Sequence, residues 1–511
     1  MLHLVLLGVY AAASLGLFLY GANCYVMMFL FLRCRSKAAR RNSEVIAQAR
    51  GRFRRREDLP RVTTQIPIYN EANVAERALR AAAAIDYPPD LHEIQVLDDS
   101  TDQTRGIVDR VAAELVAAGH RVRVVRRPDR TGFKAGALAE ALKSAEGEYI
   151  AIFDADFLPP PRFYRHTLPF FLADPKLALA QARWGHCNRA ESPLTRAQAI
   201  GIDGHFMVEQ SARTFNGLLM NFNGTAGVWR RSAIDDAGGW SADTLTEDLD
   251  LSYRVQLRGW RTHFNAQLEV PGELPGTLAA FKSQQFRWAK GSIQTARKLL
   301  PRILGARDLS PWVKLQAFLH LTHYAIHPLM LAVALLALPV LAHVGRPGSR
   351  TLVGLSVAIV LLAMVAPNSL YLVSQRSLYR RHWWRRAAWL PALTCVGIGI
   401  ALSNTRAVLE ALAGRPSEFI RTPKRGDRAL AHYRPRQTVQ PWMEIGLGLY
   451  CSASLALYLL AGKYYLGPLL ALYAGSFFVI GAAGLLELRA PARGARARVQ
   501  ASRSSSALVG G

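Results

Sequence analysis

The sequence predicts a parallel α/β domain with membrane helices on either side of it. Two observations support this prediction. Strand-like runs alternate with helix-like stretches between about residues 57 and 296, and long apolar stretches flank that region. Strands that alternate with helical patterns are typical of a three-layer sheet domain. The strand-like runs are 62–68, 94–97, 122–125 and 149–153, and the helix-like stretches are 72–85, 103–118 and 134–146.

Half of the 511 residues are hydrophobic, yet the formal net charge is +26. These two facts agree because apolar and basic residues occupy different segments. Each apolar stretch is long enough, or nearly so, to cross about 30 Å of hydrocarbon, and together they give five predicted crossings. The stretches lie near residues 4–32, 315–344, 351–374, 443–461 and 466–487.

The segment 33–56 is strongly basic, and its only acidic residue is Glu44. A basic run can bind nucleic acid, but this one adjoins a membrane span and lacks interleaved aromatic residues, so nucleic acid is not an expected partner. Basic flanks of membrane helices stay in the cytoplasm and meet anionic lipid headgroups. We therefore expect an uncleaved N-terminal anchor and a multi-pass protein of the plasma (inner) membrane, with its α/β domain in the cytoplasm.

The apolar stretch 387–413 does not fit a sixth crossing. Crossing would place the basic segment 414–441 outside, and the second half of the stretch is amphipathic. An interfacial or re-entrant helix fits better. The expected domains are an N-terminal transmembrane helix (1–32), a basic linker (33–56), the α/β domain (57–296), an interfacial helix (297–314), a transmembrane hairpin (315–375), an interfacial helix with a loop (376–441), a second hairpin (442–487) and a basic disordered tail (488–511).

Five cysteines are scattered along the chain, and no two of them form a C-x-x-C pair. The sequence therefore predicts neither a disulfide framework nor a zinc site. They are Cys24, Cys34, Cys187, Cys395 and Cys451.

Two pairs of aspartates follow predicted strands. Asp98 and Asp99 come after the second run, and Asp154 and Asp156 after the fourth. The carboxyl ends of parallel strands share one edge of a sheet, where such domains bind ligands. Alternation along an extended segment puts Asp154 and Asp156 on one side, and two carboxylates suit Mg²⁺ or Mn²⁺ bridging to phosphates. Either cluster alone is as readily a solvated acidic turn, but together they predict a nucleotide site.

Lys134 follows a glycine turn and begins a helix, where backbone amides favour a phosphate. The alternative is an exposed lysine, although a cation is unfavourable at that end of a helix. Thr246, Glu247 and Asp248 resemble a helix start with Thr246 as N-cap. Acidic residues are ordinary in a first turn, but a positioned Asp248 can also act as a general base toward a substrate hydroxyl.

Gln284, Arg287 and Trp288 share one face of a predicted helix, because they are spaced by three and four residues. Arginine suits bidentate contact with phosphate, and an indole offers a flat apolar face to a pyranose ring. The alternative is an interfacial helix with an aromatic anchor.

Taken together, these stretches resemble processive family 2 glycosyltransferases of the cellulose-synthase-like superfamily, most closely the plant mannan-synthase and glucan-synthase branches. The resemblance covers roughly residues 60–425. It rests on Gln65–Glu71, Gln95–Asp102, Gly132–Leu138, Ala151–Phe157, Ala180–Trp184, Phe222–Trp229, Thr246–Asp248, Gln284–Trp288 and Phe419–Lys424.

The resemblance implies a GT-A (Rossmann-like) catalytic domain and residue roles that follow the family's motifs. Asp248 would be the catalytic base, and Asp154 and Asp156 would hold the metal. Phe419, Arg421, Thr422 and Lys424 would form a gating loop. The residues expected to bind nucleotide or substrate are Tyr69, Asn70, Glu71, Asp98, Asp99, Lys134, Thr246, Glu247, Gln284, Arg287 and Trp288.

The activity implied is inverting polymerisation of a hexose into a β-linked, β-1,4 glycan that leaves through the membrane. UDP-glucose is the first expected donor and GDP-mannose the second. The other expected partners are the growing polysaccharide, the lipid bilayer and accessory export subunits. Two alternatives are a glycosyltransferase that adds one sugar to a lipid and a transporter or scaffold with a degenerate α/β domain. The intact acidic clusters disfavour the last of these.

Overall fold

The computed structural model describes residues 2–51, 53, 55–341, 349–417, 424, 426, 439–464 and 467–489. In this part of the chain, a seven-stranded sheet covered by helices contacts a bundle of long apolar helices. The strands are β1 Val62–Ile68, β2 His92–Asp98, β3 Arg121–Val125, β4 Tyr149–Ile152, β5 Leu177–His186, β6 Gly227–Arg230 and β7 Arg261–Gly272.

Single helices alternate with the strands as far as β5, pairs of helices lie on either side of β6 in the chain, and helices alone follow β7. They are α1 Leu2–Ala49, α2 Ala75–Ala83, α3 Thr104–Ala117, α4 Phe133–Ser144, α5 Leu168–Ala173, α6 Pro193–Gly204, α7 Ser211–Phe215, α8 Arg231–Asp236, α9 Glu247–Leu257, α10 Leu278–Gly305, α11 Pro311–Leu321, α12 Ile326–Leu341, α13 Ser349–Leu378, α14 Trp383–Ala387, α15 Leu390–Gly399, α16 Ala401–Leu412, α17 Gln440–Leu460 and α18 Gly467–Arg489.

The sheet is mixed, with strand order β3-β2-β1-β4-β6-β5-β7. The first four strands are parallel, as predicted. The parallel prediction is wrong for β6, which runs antiparallel to both β4 and β5, whereas β5 and β7 pair in parallel. The chain enters β6 through residues 216–226, a loop at the carboxyl end of β4, so β6 runs back from that edge of the sheet.

The reversed direction of β6 helps to build the site. Its first residue, Gly227, pairs with Ile152, the last residue of β4. The loop before β6 therefore lies beside the residues that follow β4, and the amide of Asp154 donates to Thr225 Oγ1 at 2.9 Å. This arrangement brings the residues around position 224 next to the acidic pair.

The middle strands are buried on both faces, which explains their continuous apolar runs. Val96 packs in a cluster with helices α2 and α3, whereas its neighbour Leu97 packs in a separate cluster with α4. Adjacent strand residues face opposite layers of helices, as the pleat requires. The predicted three-layer arrangement is therefore present.

Among the described residues, five helices are long and apolar enough to cross a membrane, and they lie in the five predicted apolar regions. The helix pair 383–399 and 401–412 is bent by 44° and would make a sixth span if it crossed as one. This pair contains the stretch that the sequence assigns to an interfacial or re-entrant helix. The protein is a membrane protein with an attached α/β domain.

Two expected boundaries differ from the helices. α10 continues from Leu278 to Gly305 across the boundary expected at residue 296, although Pro301 lies inside it. The expected hairpin at 315–375 includes the end of α11, and the apolar helix that could span runs over His323–Val340. Apolarity along the sequence does not distinguish a buried or interfacial helix such as α11 from the start of a span.

Candidate active site

A solvent-open cavity lies at the carboxyl ends of β1, β2 and β4. This is the edge at which open α/β sheets bind ligands. Most of the residues predicted from the sequence line the cavity, although they come from distant parts of the chain. Those lining it are Tyr69, Glu71, Asp99, Lys134, Asp154, Asp156, Thr246, Glu247, Asp248, Gln284, Arg287, Trp288 and Lys424.

Two predicted nucleotide-binding residues do not line the cavity. Asp98 is 1% exposed and accepts hydrogen bonds from Arg126 Nε and Nη2 at 3.0 and 2.8 Å. Asn70 has a φ of 53°, and its Oδ1 accepts the amide of Thr101 at 2.8 Å. The prediction that they contact the nucleotide is not supported, because their polar atoms instead join neighbouring loops and strands.

Asp99 and Tyr69 lie on the cavity side of the same loops. Asp99 forms a bidentate pair with Arg127, with distances of 3.1 and 2.5 Å. The guanidinium of Arg130 lies 3.4 Å from the centre of the Tyr69 ring. Arg130 also lines the cavity, so a cation and an aromatic ring are stacked there.

Each carboxylate of the acidic pair contacts a lysine. Lys134 Nζ donates to Asp154 Oδ1 at 2.5 Å and to the carbonyl of Gly224 at 2.8 Å. Lys424 Nζ lies 2.7 Å from Asp156 Oδ2. Burial alone would lower the pKa of Lys134, but the carboxylates of Asp154 and Glu247 raise it, so the ammonium stays charged.

The surroundings of Asp248 shift its pKa upward. Burial and the adjacent carboxylate of Glu247 raise the pKa of Asp248 to about 7. Its Oδ1 accepts the amide of Leu249 at 2.8 Å. A Cβ at Gly224, whose φ is +81°, would lie 3.0 Å from Asp248 Oδ2 and 3.5 Å from Lys134 Nζ. Because glycine has no Cβ, the backbone at Gly224 can approach Asp248 and Lys134 closely.

Thr246 occupies the predicted N-cap position, but it does not make the predicted capping hydrogen bond. α9 begins at Glu247, yet the side chain of Thr246 makes no capping hydrogen bond. Its hydroxyl instead lies 3.2 Å from Thr295 Oγ1 on α10. Gly291 makes this approach possible, because a Cβ at that position would lie 2.6 Å from the methyl group of Thr246. The contact joins the start of α9, the helix that carries Asp248, to α10, the helix that carries Arg287.

α10 brings Gln284, Arg287 and Trp288 to the cavity on one face, as the spacing predicts. Burial lowers the pKa of Arg287, while Glu247 opposes that effect. Trp288 lies 6.5 Å from Trp184, measured between ring centres.

Three members of the expected gating loop, Phe419, Arg421 and Thr422, lie outside the described residues. Lys424 and Gly426 are described, and both contact Glu273. Lys424 Nζ donates to the Glu273 carbonyl at 2.6 Å, and the Gly426 amide donates to the Glu273 carboxylate at 3.1 Å. Lys424 therefore lines the cavity and is joined to Glu273.

Several lining residues were not predicted as site residues. Trp184 and Phe157 form an aromatic wall, with ring centres 5.0 Å apart. Both fall in stretches that carry the family resemblance, which was the only signal for them. Nothing in their local sequence distinguishes Arg130, His186 or Glu273, which also line the cavity.

The acidic pair offers two carboxylates to the cavity. The described residues hold no cluster of three or more His, Cys, Asp or Glu side chains arranged to bind a metal. Two carboxylates are nevertheless the usual protein share for Mg²⁺ or Mn²⁺ when substrate phosphates complete the coordination. The donor set at Asp154 and Asp156 therefore fits a divalent cation that binds together with a nucleotide diphosphate.

Comparisons with known proteins agree with this geometry. The family described as "Glycosyltransferase like family 2" matches residues 60–291. Probable glucomannan 4-beta-mannosyltransferase 9 of Oryza sativa subsp. japonica is 34% identical over 451 residues, which cover 83% of this chain and 81% of the relative. Probable glucomannan 4-beta-mannosyltransferase 7 of the same organism is 44% identical over 259 residues, and that match spans 44% of its length.

Among solved structures, the mannosyltransferase PcManGT from Pyrobaculum calidifontis, in complex with GDP-Man and Mn²⁺, matches 76% of this chain and 100% of its own. The identity is 19% and the TM-score is 0.46.

The mixed sheet, the cavity at its edge and the apolar helices define a class, the membrane glycosyltransferases with a GT-A domain. The chain belongs to glycosyltransferase family 2, in the cellulose-synthase-like group that includes plant glucomannan 4-beta-mannosyltransferases. It is a hexosyltransferase.

Proposed function

We propose that the protein is an inverting β-mannan synthase that transfers mannose from GDP-mannose to the end of a growing β-1,4-linked glycan. The observation that carries the proposal is the convergence of Asp154, Asp156, Asp248 and Arg287 on one cavity. The names of the relatives favour GDP-mannose, the second expected donor, over UDP-glucose, the first.

Asp248 is suited to the proton transfer. Its pKa is raised to about 7, so near neutral pH it is deprotonated in a large fraction of molecules and basic enough to take a proton from an acceptor hydroxyl. Attack by that oxygen on the anomeric carbon, from the face opposite the diphosphate, inverts the configuration. An α-linked donor then gives a β-linked product.

The departing diphosphate needs positive charge. Lys134 supplies an ammonium held between Asp154 and the Gly224 carbonyl, and Arg287 supplies a guanidinium from α10. A divalent cation at Asp154 and Asp156 would add charge stabilisation to the diphosphate. Fixed charges aimed at the leaving group stabilise the transition state more than the ground state.

The two indoles of Trp184 and Trp288, whose ring centres lie 6.5 Å apart, suit the acceptor end. Pyranose rings present apolar C–H faces that pack on flat indoles, while their hydroxyls need polar partners. The Gln284 side-chain oxygen is buried and makes no hydrogen bond to another described residue, so it is available to an acceptor hydroxyl. Gln284 and Trp288 lie on α10, which contacts the apolar helix α18.

The proposed location is the plasma (inner) membrane with the α/β domain in the cytoplasm, since basic segments flank the apolar helices on that side. Export of the glycan between the apolar helices, with or without accessory subunits, is part of the proposal.

The test is donor selection by the purified, detergent-solubilised protein. Radiolabelled GDP-mannose and UDP-glucose are offered separately with Mn²⁺ or Mg²⁺, and the products are sized and digested with β-mannanase or cellulase. We expect a mannanase-sensitive polymer from GDP-mannose. Cellulase-sensitive polymer from UDP-glucose alone would refute the donor assignment, and single additions to lipid would refute polymerisation.

A further inference from the structure

Helix α10 begins with a cap that comes from another helix. Glu487, near the end of α18, accepts the amides of Leu278 and Ala279 at 2.6 and 3.0 Å. Thr277 Oγ1 accepts the next amide, that of Ala280, at 3.2 Å. The first amides of a helix lack partners within it and carry partial positive charge. A carboxylate that binds them fixes the start of α10 to the end of α18.

A second carboxylate holds α10 one turn further along. Glu444 of α17 is 0% exposed, and both of its oxygens accept Lys282 Nζ, at 2.6 and 2.7 Å. The side-chain amide nitrogen of Gln440, Nε2, donates to the same carboxylate at 3.1 Å. Ionisable residues inside apolar membrane helices are costly and generally functional. Apolar side chains would hold α17 in place at least as well as a buried ion pair, so adhesion alone does not account for Glu444.

A third ion pair involves α10 at Lys290, two residues after Trp288. Lys290 is fully buried, pairs with Glu410 of α16 at 2.9 Å and also donates to Ser417. Three helices, α16, α17 and α18, thus each supply one carboxylate that binds a residue of α10. Two of the contacts precede Gln284 and one follows Trp288, so the substrate-facing turn is held from both ends.

We propose that Glu487 and Glu444 are positioning residues for the acceptor side of the reaction, an inference that rests on the proposed function. The cap fixes where α10 starts along its axis, and the Lys282 pair fixes its rotation. A helix turns about 100° per residue, so a small rotation would turn Arg287 and Trp288 away from the cavity. The last membrane hairpin therefore sets the geometry at which a sugar acceptor meets the donor.

The experiment uses the full chain in detergent and the variants Glu487→Gln, Lys282→Glu, Glu444→Lys and the double charge swap. Glu140→Gln, which removes one partner of an exposed ion pair on α4, is the matched control. Three quantities are measured: amide hydrogen exchange at the start of α10, GDP binding, and the KM and kcat for a β-1,4-linked manno-oligosaccharide acceptor.

We expect Glu487→Gln to speed exchange at residues 278–281 by about tenfold and to raise the acceptor KM by roughly fivefold or lower kcat, with GDP affinity unchanged. The single charge reversals should lose most transfer, and the double swap should recover much of it. The control should match wild type in all three measurements.

The proposal is overturned if exchange at 278–281 does not change, if the double swap is no better than the single variants, or if GDP affinity and acceptor parameters fall together in proportion to folded protein. The last result would mean a structural role only. Absence of transfer in wild type would instead refute the proposed function, while the exchange measurement would still decide whether Glu487 caps α10.

Discussion

Asp156 and Lys424 form an ion pair of 2.7 Å that joins the acidic pair to a segment far along the chain. Lys424 makes further bonds: its Nζ donates to the Glu273 carbonyl at 2.6 Å, and Asn73 Nδ2 donates to the Lys424 carbonyl at 3.2 Å. The lysine ammonium therefore binds a carboxylate that we also assign to a divalent cation. The proposed divalent cation would compete with this ammonium for Asp156.

We predict that Lys424→Ala raises the affinity for Mn²⁺ in the absence of nucleotide. A neighbouring positive charge about 3 Å from a ligand oxygen weakens metal binding, and removing it should strengthen binding by several-fold. Calorimetric titration of the purified protein measures this. Lys143→Ala, at an exposed lysine on α4, is the control.

Gly426→Ala tests the same competition without removing a charge. Gly426 has a φ of +60°, and a Cβ there would lie 2.3 Å from the carbonyl oxygen of Asn73. The substitution should therefore displace residue 426 and weaken the ion pair between Lys424 and Asp156. Mn²⁺ affinity that stays at the wild-type value in both variants would show that Lys424 does not compete with metal.

We predict that the transfer rate depends on the ionisation of Asp248. Its pKa is raised to about 7, and only the deprotonated form accepts a proton. Transfer should therefore fall by about tenfold per pH unit below that pKa and level off above it. Stopped-time assays with labelled donor across pH measure the profile, at pH values where the protein stays folded.

The variant Asp248→Asn should lose about 10²-fold or more of the transfer rate and should no longer show that pH limb, while nucleotide binding persists. Asp235→Asn, at an exposed carboxylate, is the control and should behave as wild type. Wild-type turnover in Asp248→Asn would mean that another group accepts the proton.

We predict different consequences for the two adjacent aspartates that follow β2. Asp98→Asn should lower the free energy of unfolding by about 2 kcal/mol, because a buried, charged hydrogen-bond acceptor of Arg126 is lost, and should leave GDP affinity unchanged. Asp99→Asn should weaken GDP binding instead. Chemical denaturation and fluorescence titration separate the two effects. Loss of GDP binding in Asp98→Asn with unchanged stability would place Asp98 in the site.

We predict that Trp184 contributes to acceptor binding. Trp184→Ala should raise the acceptor KM by about tenfold, because stacking on an indole is lost. Trp184→Phe, which keeps an aromatic ring, should raise the acceptor KM less. The donor KM should change little, because the acidic pair and Lys134 are untouched. Initial rates at varied acceptor and fixed saturating donor measure this, and an equal rise in both KM values would argue against an acceptor role.

The sequence predicted β1 to β4 closely, because each strand is a short β-branched run bounded by helix-like stretches. The strand Val62–Ile68 has the predicted bounds. The region past residue 156 was less readable. β5 and β7 carry no clean alternation, and the antiparallel β6 is only four residues long. Its direction depends on a loop whose path the local sequence does not specify.

The sequence does not show which of two adjacent side chains borders the cavity. Asp98 and Asp99 are equivalent as sequence, but Asp98 is the last residue of β2 and points to Arg126, whereas Asp99 borders the cavity. Long-range contacts were also invisible. No local pattern brings Lys424 to Asp156 or Glu487 to the start of α10, since each depends on packing between distant elements.

The most direct measurement is mannosyl transfer from GDP-mannose by the purified protein before and after chelation of divalent metal, with Asp154→Ala and Asp156→Ala in parallel. We predict that excess chelator stops transfer, that added Mn²⁺ or Mg²⁺ restores it in wild type, and that neither metal restores it in the two variants. Transfer that continues at the wild-type rate in excess chelator, or in both variants, would contradict the convergence of a metal and the acidic pair on one diphosphate.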